Sequence, residues 1–374
     1  MLKYTGDFGG YGSFKITRSD GETSTQLLVM TNPLWNWTSH APLPIAVKEA
    51  ATVVDKGTIY VIGGNDKDDQ TLQSVYRYRV DEDTWEEVAN LPDIENLNSY
   101  SYGATATALN NQVLLMTFDN IHDQNDYYMY SIKDDSWEKL DMEVIPEPRE
   151  YAALITYKDD IYMVGGIPKG DYLGQSELSK DIWKLNKEKT QWKKVASLSE
   201  GRYAPIVGVA GDQMIITGGC IGDGEYINST EIFNGKNLIT GAALPFAGIY
   251  SQNTVFGGGA KLYIMTDGIS FDVPGLIYSP DTNTWKNSSY RLGYSRTAGI
   301  GSAASGDQLF AVGGEEDYRT VATLRSIEIE EAVHHKGYTT AFLIGVAVIV
   351  IVVIVILITI WAKKNKKPKK IYIK

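Results

Sequence analysis

The chain has 374 residues, 46 acidic against 35 basic side chains, a formal net charge of −11 and a single cysteine. That length exceeds what one hydrophobic core usually supports, which excludes a single-core globule and points to growth by repetition. The lone Cys220 excludes an internal disulfide and reads as a semi-buried thiol, while the acidic balance disfavours nucleic acid and invites basic partners or cations. Taken in order, the chain opens on Tyr4-Thr5-Gly6-Asp7-Phe8-Gly9-Gly10, a weak copy of a run that returns plainly as Ile59-Tyr60-Val61-Ile62-Gly63-Gly64. Weak copies follow at Val113–Phe118 and Leu262–Gly268. Plain ones stand at Ile161–Gly166, Met214–Gly219 and Leu309–Gly314. The five steps from Gly63 to Gly313 average about 50 residues, a period at which self-similarity means a propeller or a solenoid.

A second landmark travels with the first. A large apolar or aromatic residue is followed seven positions later by Trp in Met30/Trp37, Tyr78/Trp85, Tyr130/Trp137, Leu185/Trp192 and Tyr278/Trp285, whereas Phe233 is followed by Thr240. Basic residues precede several runs, as in Arg149-Glu150-Tyr151, Gly201-Arg202-Tyr203 and Tyr294-Ser295-Arg296. Run, glycine pair, aromatic and Trp together resemble the kelch repeat over roughly residues 1–329.

The resemblance implies an all-β fold, a kelch-type β-propeller of four-stranded blades, and the physics agrees. A four-stranded sheet cannot cover both its faces, so the units stack radially and bury each other. Strands covered on both sides read as continuous apolar runs, as Thr58–Ile62 does. Glycine pairs suit crowded or sharply bent backbone, and rings fill the rim where sheets splay apart. These residues are therefore read as architecture. Seven blades are expected, with a piece missing upstream of Met1. The alternative is six, in which the segment ending at Trp37 completes the sheet of residues 297–329.

The loops after the glycine pairs are long and polar, and several are acidic: Asp66/Asp68/Asp69, Asp119/Asp123/Asp126 and Glu315/Glu316/Asp317. Equivalent loops emerge on one face, where partners dock. The candidate binding face comprises Arg149, Arg202, Arg296, Tyr102, Tyr250, Asp66 and Asp123, an Arg/Tyr rim flanked by acids. The competing reading has the arginines capping nearby carbonyls. Asp119-Asn120 with Asp123 and Asp126 lacks the register of a calcium loop, so no metal is assigned and no cofactor is expected. Sequons at Asn36, Asn228 and Asn287 permit glycosylation in a secretory lumen.

After a juxtamembrane stalk, residues 334–340, the character of the chain changes. Ala341–Ala362 is an uncharged apolar stretch that, at ~1.5 Å per residue, is long enough for a hydrocarbon core of roughly 30 Å, so a transmembrane helix is expected. Residues 363–374 hold seven lysines and no acid, which places this basic tail in the cytoplasm and the propeller, residues 1–333, outside or in the lumen. The first ten residues offer no apolar h-region of a signal peptide. A truncated start would explain that and the missing first strand together; a true start at Met1 would make the protein a tail-anchored cytosolic scaffold.

For function, the resemblance implies a binding module: a membrane-tethered propeller presenting its loop face to a protein partner, one with a basic surface by charge. Kelch-type propellers also include galactose oxidase and a sialic-acid mutarotase. The copper chemistry of the first needs paired His and Tyr ligands and a Cys–Tyr crosslink. Here His334 and His335 belong to the stalk, His40 and His122 read as isolated loop residues, and nothing around Cys220 matches. A metal-free sugar-modifying site needs only acids and bases in the channel and stays open as an alternative. No phosphate loop, nucleophile elbow or zinc cluster appears, and no enzyme is assigned.

Overall fold

The computed structural model describes residues 12–17, 24–29, 37–92, 104–119, 122, 124–144, 146–167, 178–222, 225–247, 254–265, 275–288, 299–316 and 319–329. One compact unit spans Met1–Ile327 and a second spans Glu328–Lys374. Within the first, a hairpin of β1 (Gly12–Thr17) and β2 (Ser24–Val29) precedes the short β3 (Thr38–Ser39). Four consecutive strands then make each sheet. The first is β4 (Ala51–Asp55), β5 (Thr58–Ile62), β6 (Val75–Arg79) and β7 (Thr84–Val88); the second is β8 (Thr105–Leu109), β9 (Gln112–Asp119), β10 (Gln124–Ser131) and β11 (Ser136–Lys139). The third is β12 (Ala153–Tyr157), β13 (Asp160–Val164), β14 (Asp181–Leu185) and β15 (Trp192–Ser197), and the fourth β16 (Ile206–Ala210), β17 (Gln213–Thr217), β18 (Thr230–Phe233) and β19 (Leu238–Thr240). The fifth is β20 (Thr254–Gly258), β21 (Lys261–Met265), β22 (Gly275–Ser279) and β23 (Thr284–Ser288). In the sixth, β24 (Gly301–Ser305) and β25 (Gln308–Val312) are followed by a small hairpin, β26 (Glu315–Glu316) with β27 (Arg319–Thr320), and then β28 (Leu324–Glu328).

The outer strand of the sixth sheet comes from the other end of the chain. β3 pairs antiparallel with β28, Arg325 opposite Ser39 and Ser326 opposite Thr38. The first strands β4, β8, β12, β16, β20 and β24 each touch the next, and β24 touches β4, so the ring is closed: a six-bladed β-propeller. The expected seventh blade is thereby corrected. The strand following Trp37 completes the last sheet, leaving that sheet neither short of an edge nor in need of an upstream piece.

Each second strand is buried on both faces, as its apolar run demands; Ile59, Tyr60, Val61 and Ile62 are nearly inaccessible. The apolar contacts lie between neighbouring blades. Tyr60, Ile62 and Val75 of the first pack with Val113, Leu115 and Tyr130 of the second, and Ile59, Val61 and Tyr78 with Phe310 and Val312 of the sixth.

The glycine pairs end these strands in the left-handed region, Gly63 and Gly64 at φ +60° and +90° and Gly165 and Gly166 at +67° and +108°. A Cβ on Gly64 would lie 2.6 Å from the Lys48 carbonyl oxygen, and one on Gly165 2.6 Å from that of Arg202, so side chains are excluded on steric and conformational grounds together. The closeness serves adhesion: the Gly166 N–H donates to the Arg202 carbonyl of the next blade and the Gly314 N–H to Val47, across the closure.

The tryptophans bind neighbours as expected, with a partner the sequence reading missed. Trp85, Trp137 and Trp285 each donate Nε1–H, at 2.8 Å, to the carbonyl of Ala41, Ala89 and Ala242, which follow the outer strand of the preceding blade. The same alanines donate their N–H to Asp83, Asp135 and Asn283, which also accept the hydroxyls of Tyr78, Tyr130 and Tyr278. Both backbone groups of one residue are thus clamped by the next blade. Trp192 departs from this: its ring is buried, and its Nε1–H makes no well-formed hydrogen bond.

Among the described residues no helix is long and apolar enough to cross a membrane, and residues 341–362 lie outside them.

Candidate functional site

Antiparallel order sends the second-to-third-strand loops, with their glycine pairs, to one end of the blades, together with the segments entering each first strand. Those entry segments share a left-handed residue: Glu49 (φ +59°), Tyr151 (+54°), Ala204 (+48°) and Gly299 (+61°). Where neighbouring blades are both described, they are strung together. The Glu49 N–H donates to the Gly299 carbonyl at 2.8 Å and the Ala204 N–H to that of Tyr151 at 2.9 Å. Strained backbone held by its neighbours at equivalent points of a ring mouth marks a shaped surface.

Arg149 and Arg202 occupy equivalent entry positions but do not form an exposed rim. They are 5% and 0% exposed. Arg149 donates from Nε to the Glu147 carbonyl and from Nη1 to the Gly165 carbonyl and Ser179 Oγ. Arg202 donates to the carbonyls of Gly218 and Ser229, to Ser229 Oγ and to Glu231 Oε1 at 3.2 Å. A guanidinium carries five donors in a fixed fork, which suits it to stitching the carbonyls that the bent glycine backbone leaves open. Burial pulls both arginines below their ordinary pKa, with Glu231 opposing this at Arg202. Glu231 also accepts the Ser199 N–H and hydroxyl, which ties the fourth blade to the third. The exposed-rim reading is corrected for these two residues: both are buried and their terminal guanidinium nitrogens bond the fold, while Arg202 Nε has no partner among the described residues. Tyr102, Asp123, Tyr250 and Arg296 lie outside the described residues, as does Asn36.

The mouth's charge is concentrated where the sixth blade meets the first. Lys48 Nζ contacts Glu315 Oε1 at 2.6 Å and Asp69 Oδ1 at 2.7 Å. Burial works against its charge, yet the two carboxylates carry its pKa above the ordinary lysine value. Glu49 accepts from Asn65 Nδ2 at 2.8 Å, and its pKa is pushed up by burial, a shift that Asn65 and Lys48 partly offset. Glu316 pairs with Arg325 at 2.8 Å. Asp66 accepts the N–H groups of Asp68 and Gln70, which shape its own loop and hold its carboxyl below the usual range. Carboxylates outnumber cations here, and Asp68 and Asp69 are largely exposed. The hairpin of β26 and β27, which supplies Glu315 and Glu316, was read as a plain loop.

Two further expectations shift. Asp119 and Asp126 are strand residues of the paired β9 and β10, not loop residues: both are buried and engaged by His122 and Lys139, each at 2.7 Å. His40 is no free loop residue either; it bonds Ser326 Oγ at 2.7 Å between the rings of Tyr78 and Phe310. Cys220 is buried, its thiol pKa raised by that burial and eased by Tyr203. Among the described residues no group of His, Cys, Asp or Glu is arranged to hold a metal.

The profile of the KLHDC2/KLHL20/DRC7 Kelch-repeats domain matches residues 7–219, more than half of the chain. Beta-scruin of Limulus polyphemus is 25% identical over 224 residues, 57% of this chain and 23% of that protein. Kelch-like protein terF of Aspergillus terreus is 25% identical over 53% of this chain and 43% of its own length, and mouse Kelch-like protein 40 is 27% identical over 50% and 29%. The chain thus spans less than half the length of the curated relatives it matches. Among solved structures, that titled "Structure of YjhT" superposes with a TM-score of 0.61 at 16% identity, over 78% of this chain and 97% of the other, which bears on the fold alone. Together with the six interlocked four-stranded blades and their glycine pairs, these matches establish that the chain belongs to the kelch-repeat family.

Proposed function

We propose that this propeller is a protein-interaction module, tethered to a membrane by residues 341–362 and presenting its glycine-loop face to a basic protein partner on the extracellular or luminal side. The observation that carries the binding role is the acidic mouth at the closure. Glu49, Asp66, Asp69, Glu315 and Glu316 gather there around Lys48 on backbone that the ring holds in place. Complementary charge steers encounter and fixes register. Kelch-like relatives are consistent with a protein partner. The uncharged stretch at 341–362 followed by lysines supports the tether and its orientation. Asn228 and Asn287 are exposed and available for glycosylation, which only a luminal propeller would receive.

Two measurements test the parts separately. Reversing the charge of the exposed Asp68 to Lys in the full-length chain should reduce capture of a basic partner while thermal unfolding changes little; undiminished capture contradicts the acidic face. In sealed microsomes the propeller should resist added protease and shift in mass on deglycosylation, and complete digestion contradicts the orientation.

A further inference from the structure

The opposite end of the blades carries the turns from first to second and from third to fourth strand, and one junction there differs from its fellows. Opposite the start of the outer strand stand Tyr78, Tyr130, Phe233 and Tyr278 in four blades but Leu185 in the third. The three tyrosines fill their junctions with a ring and anchor it through Asp83, Asp135 and Asn283. At Leu185 there is neither ring nor hydroxyl. The second blade instead meets the third through backbone bonds from Glu143 and Val144 to the Thr190 carbonyl and from Trp192 to Val144. A cleft of about 220 Å³ opens at this junction, with Leu109, Met129, Ile161 and Leu185 as its apolar lining and Gln112 and Lys189 at its edge.

Two carboxylates, Asp159 and Asp160, and two lysines, Lys187 and Lys189, line the cleft, and they are not paired one to one. Asp160 is held by Lys184 at 2.5 Å and Lys187 at 2.8 Å. Asp159 is exposed to water. Lys189, on left-handed backbone at φ +62°, donates to the neutral side-chain oxygen of Gln112 and forms no ion pair among the described residues. Its burial lowers its pKa, which Glu138 opposes only through space. A partly buried ammonium with no carboxylate partner, beside an apolar hollow, asks for an anion with an apolar neighbour.

We infer that the cleft between the second and third blades is a docking socket for an acidic, apolar segment of a partner protein, with a leucine-like side chain occupying the space a tyrosine fills elsewhere and a carboxylate pairing with Lys189. The socket is distinct from the acidic mouth, selects the opposite charge and does not depend on the mouth's role.

The test is calorimetric titration of the full-length chain with the peptide acetyl-Glu-Leu-Glu-Leu-Glu-amide and its all-Gln counterpart. The Glu peptide should bind at least about tenfold more tightly than the Gln peptide, as a charge-assisted contact requires. Lys189→Met should remove that preference, Leu185→Tyr should block both peptides by filling the hollow, and Lys236→Met, at an exposed lysine elsewhere, should change nothing. Equal binding of the two peptides, absence of binding, or a preference that survives Lys189→Met overturns the proposal. Should Leu185→Tyr fail to fold, Lys189→Met decides alone.

Discussion

The junction that closes the ring, between sixth and first blades, and the junction between second and third blades are built to opposite standards. At the closure the chain passes from β3 into the first blade, but β3 is joined to the rest of the sixth sheet by non-covalent pairing, and contacts accumulate. β3 pairs with β28, Trp85 and Asp83 clamp Ala41, His40 wedges against Ser326, and backbone bonds join Leu43 to Ala322, Val47 to Val321 and Gly314 to Val47. Between the second and third blades the chain itself passes from one sheet to the next. There the tyrosine is a leucine, the Trp192 indole Nε1–H makes no well-formed hydrogen bond, and a cleft remains. Redundant polar bonding is placed where loss of β3 from its sheet would open the ring, and slack is tolerated where the strands of both sheets follow one another along the chain.

The largest expected break in this contrast is Trp85→Ala. It removes a half-buried indole and leaves the Ala41 carbonyl unsatisfied, for about 3 kcal/mol of stability, measured by denaturant unfolding. Next comes a matched pair of hydroxyl deletions. Tyr78→Phe removes a donor from a used bond to Asp83 and should cost about 1 kcal/mol, with the Asp83 carboxylate losing one partner. Tyr127→Phe, at the second-to-third junction, deletes a buried hydroxyl whose polar company is the Trp192 indole, without a well-formed bond, and should be neutral or slightly stabilising. Equal costs at the two sites would erase the contrast.

Much of this was legible beforehand. The glycine pairs fixed the period, and the seven-residue spacing from aromatic to Trp located the inter-blade contacts. The five-residue spacing in Tyr78/Asp83, Tyr130/Asp135 and Tyr278/Asn283 was equally visible and went unread, although it is the other half of the clamp. The blade count was not readable for a physical reason: β3 is two residues long, has no apolar alternation and finds its partners at the far end of the sequence, Arg325 and Ser326, only through closure. The site suffered likewise. Arg149 and Arg202 resemble exposed recognition residues in sequence, and only the folded glycine loops reveal the carbonyls that consume their donors. The closure charges of Lys48, Asp69 and Glu315 come from three separate segments that no local pattern joins.

The smallest expected effect is on pH dependence. The Tyr78 hydroxyl and the Ala41 N–H hold the Asp83 carboxyl below its ordinary range. A carboxyl whose folded pKa is depressed stabilises the fold above its unfolded pKa, about 3.9, and that contribution is lost as pH falls through the folded value. The closure should therefore loosen in acid below about pH 4. Asp83→Asn, which copies the neutral acceptor Asn283 of the fifth blade, should keep the clamp near neutral pH and flatten this part of the acid response in thermal unfolding.

The closed six-bladed ring is tested most directly by a crosslink between its two ends. The His40 N–H donates to the Leu324 carbonyl, which makes the neighbouring Ser39–Arg325 couple the non-hydrogen-bonded kind, with Cα atoms about 4.5 Å apart and within reach of a disulfide. In a Cys220→Ser background, Ser39→Cys with Arg325→Cys should oxidise to an intramolecular disulfide and raise the unfolding temperature, whereas Ser39→Cys with Ser305→Cys should not form one. Free thiols at 39 and 325 under the same oxidation would contradict the closure and with it the six-bladed architecture.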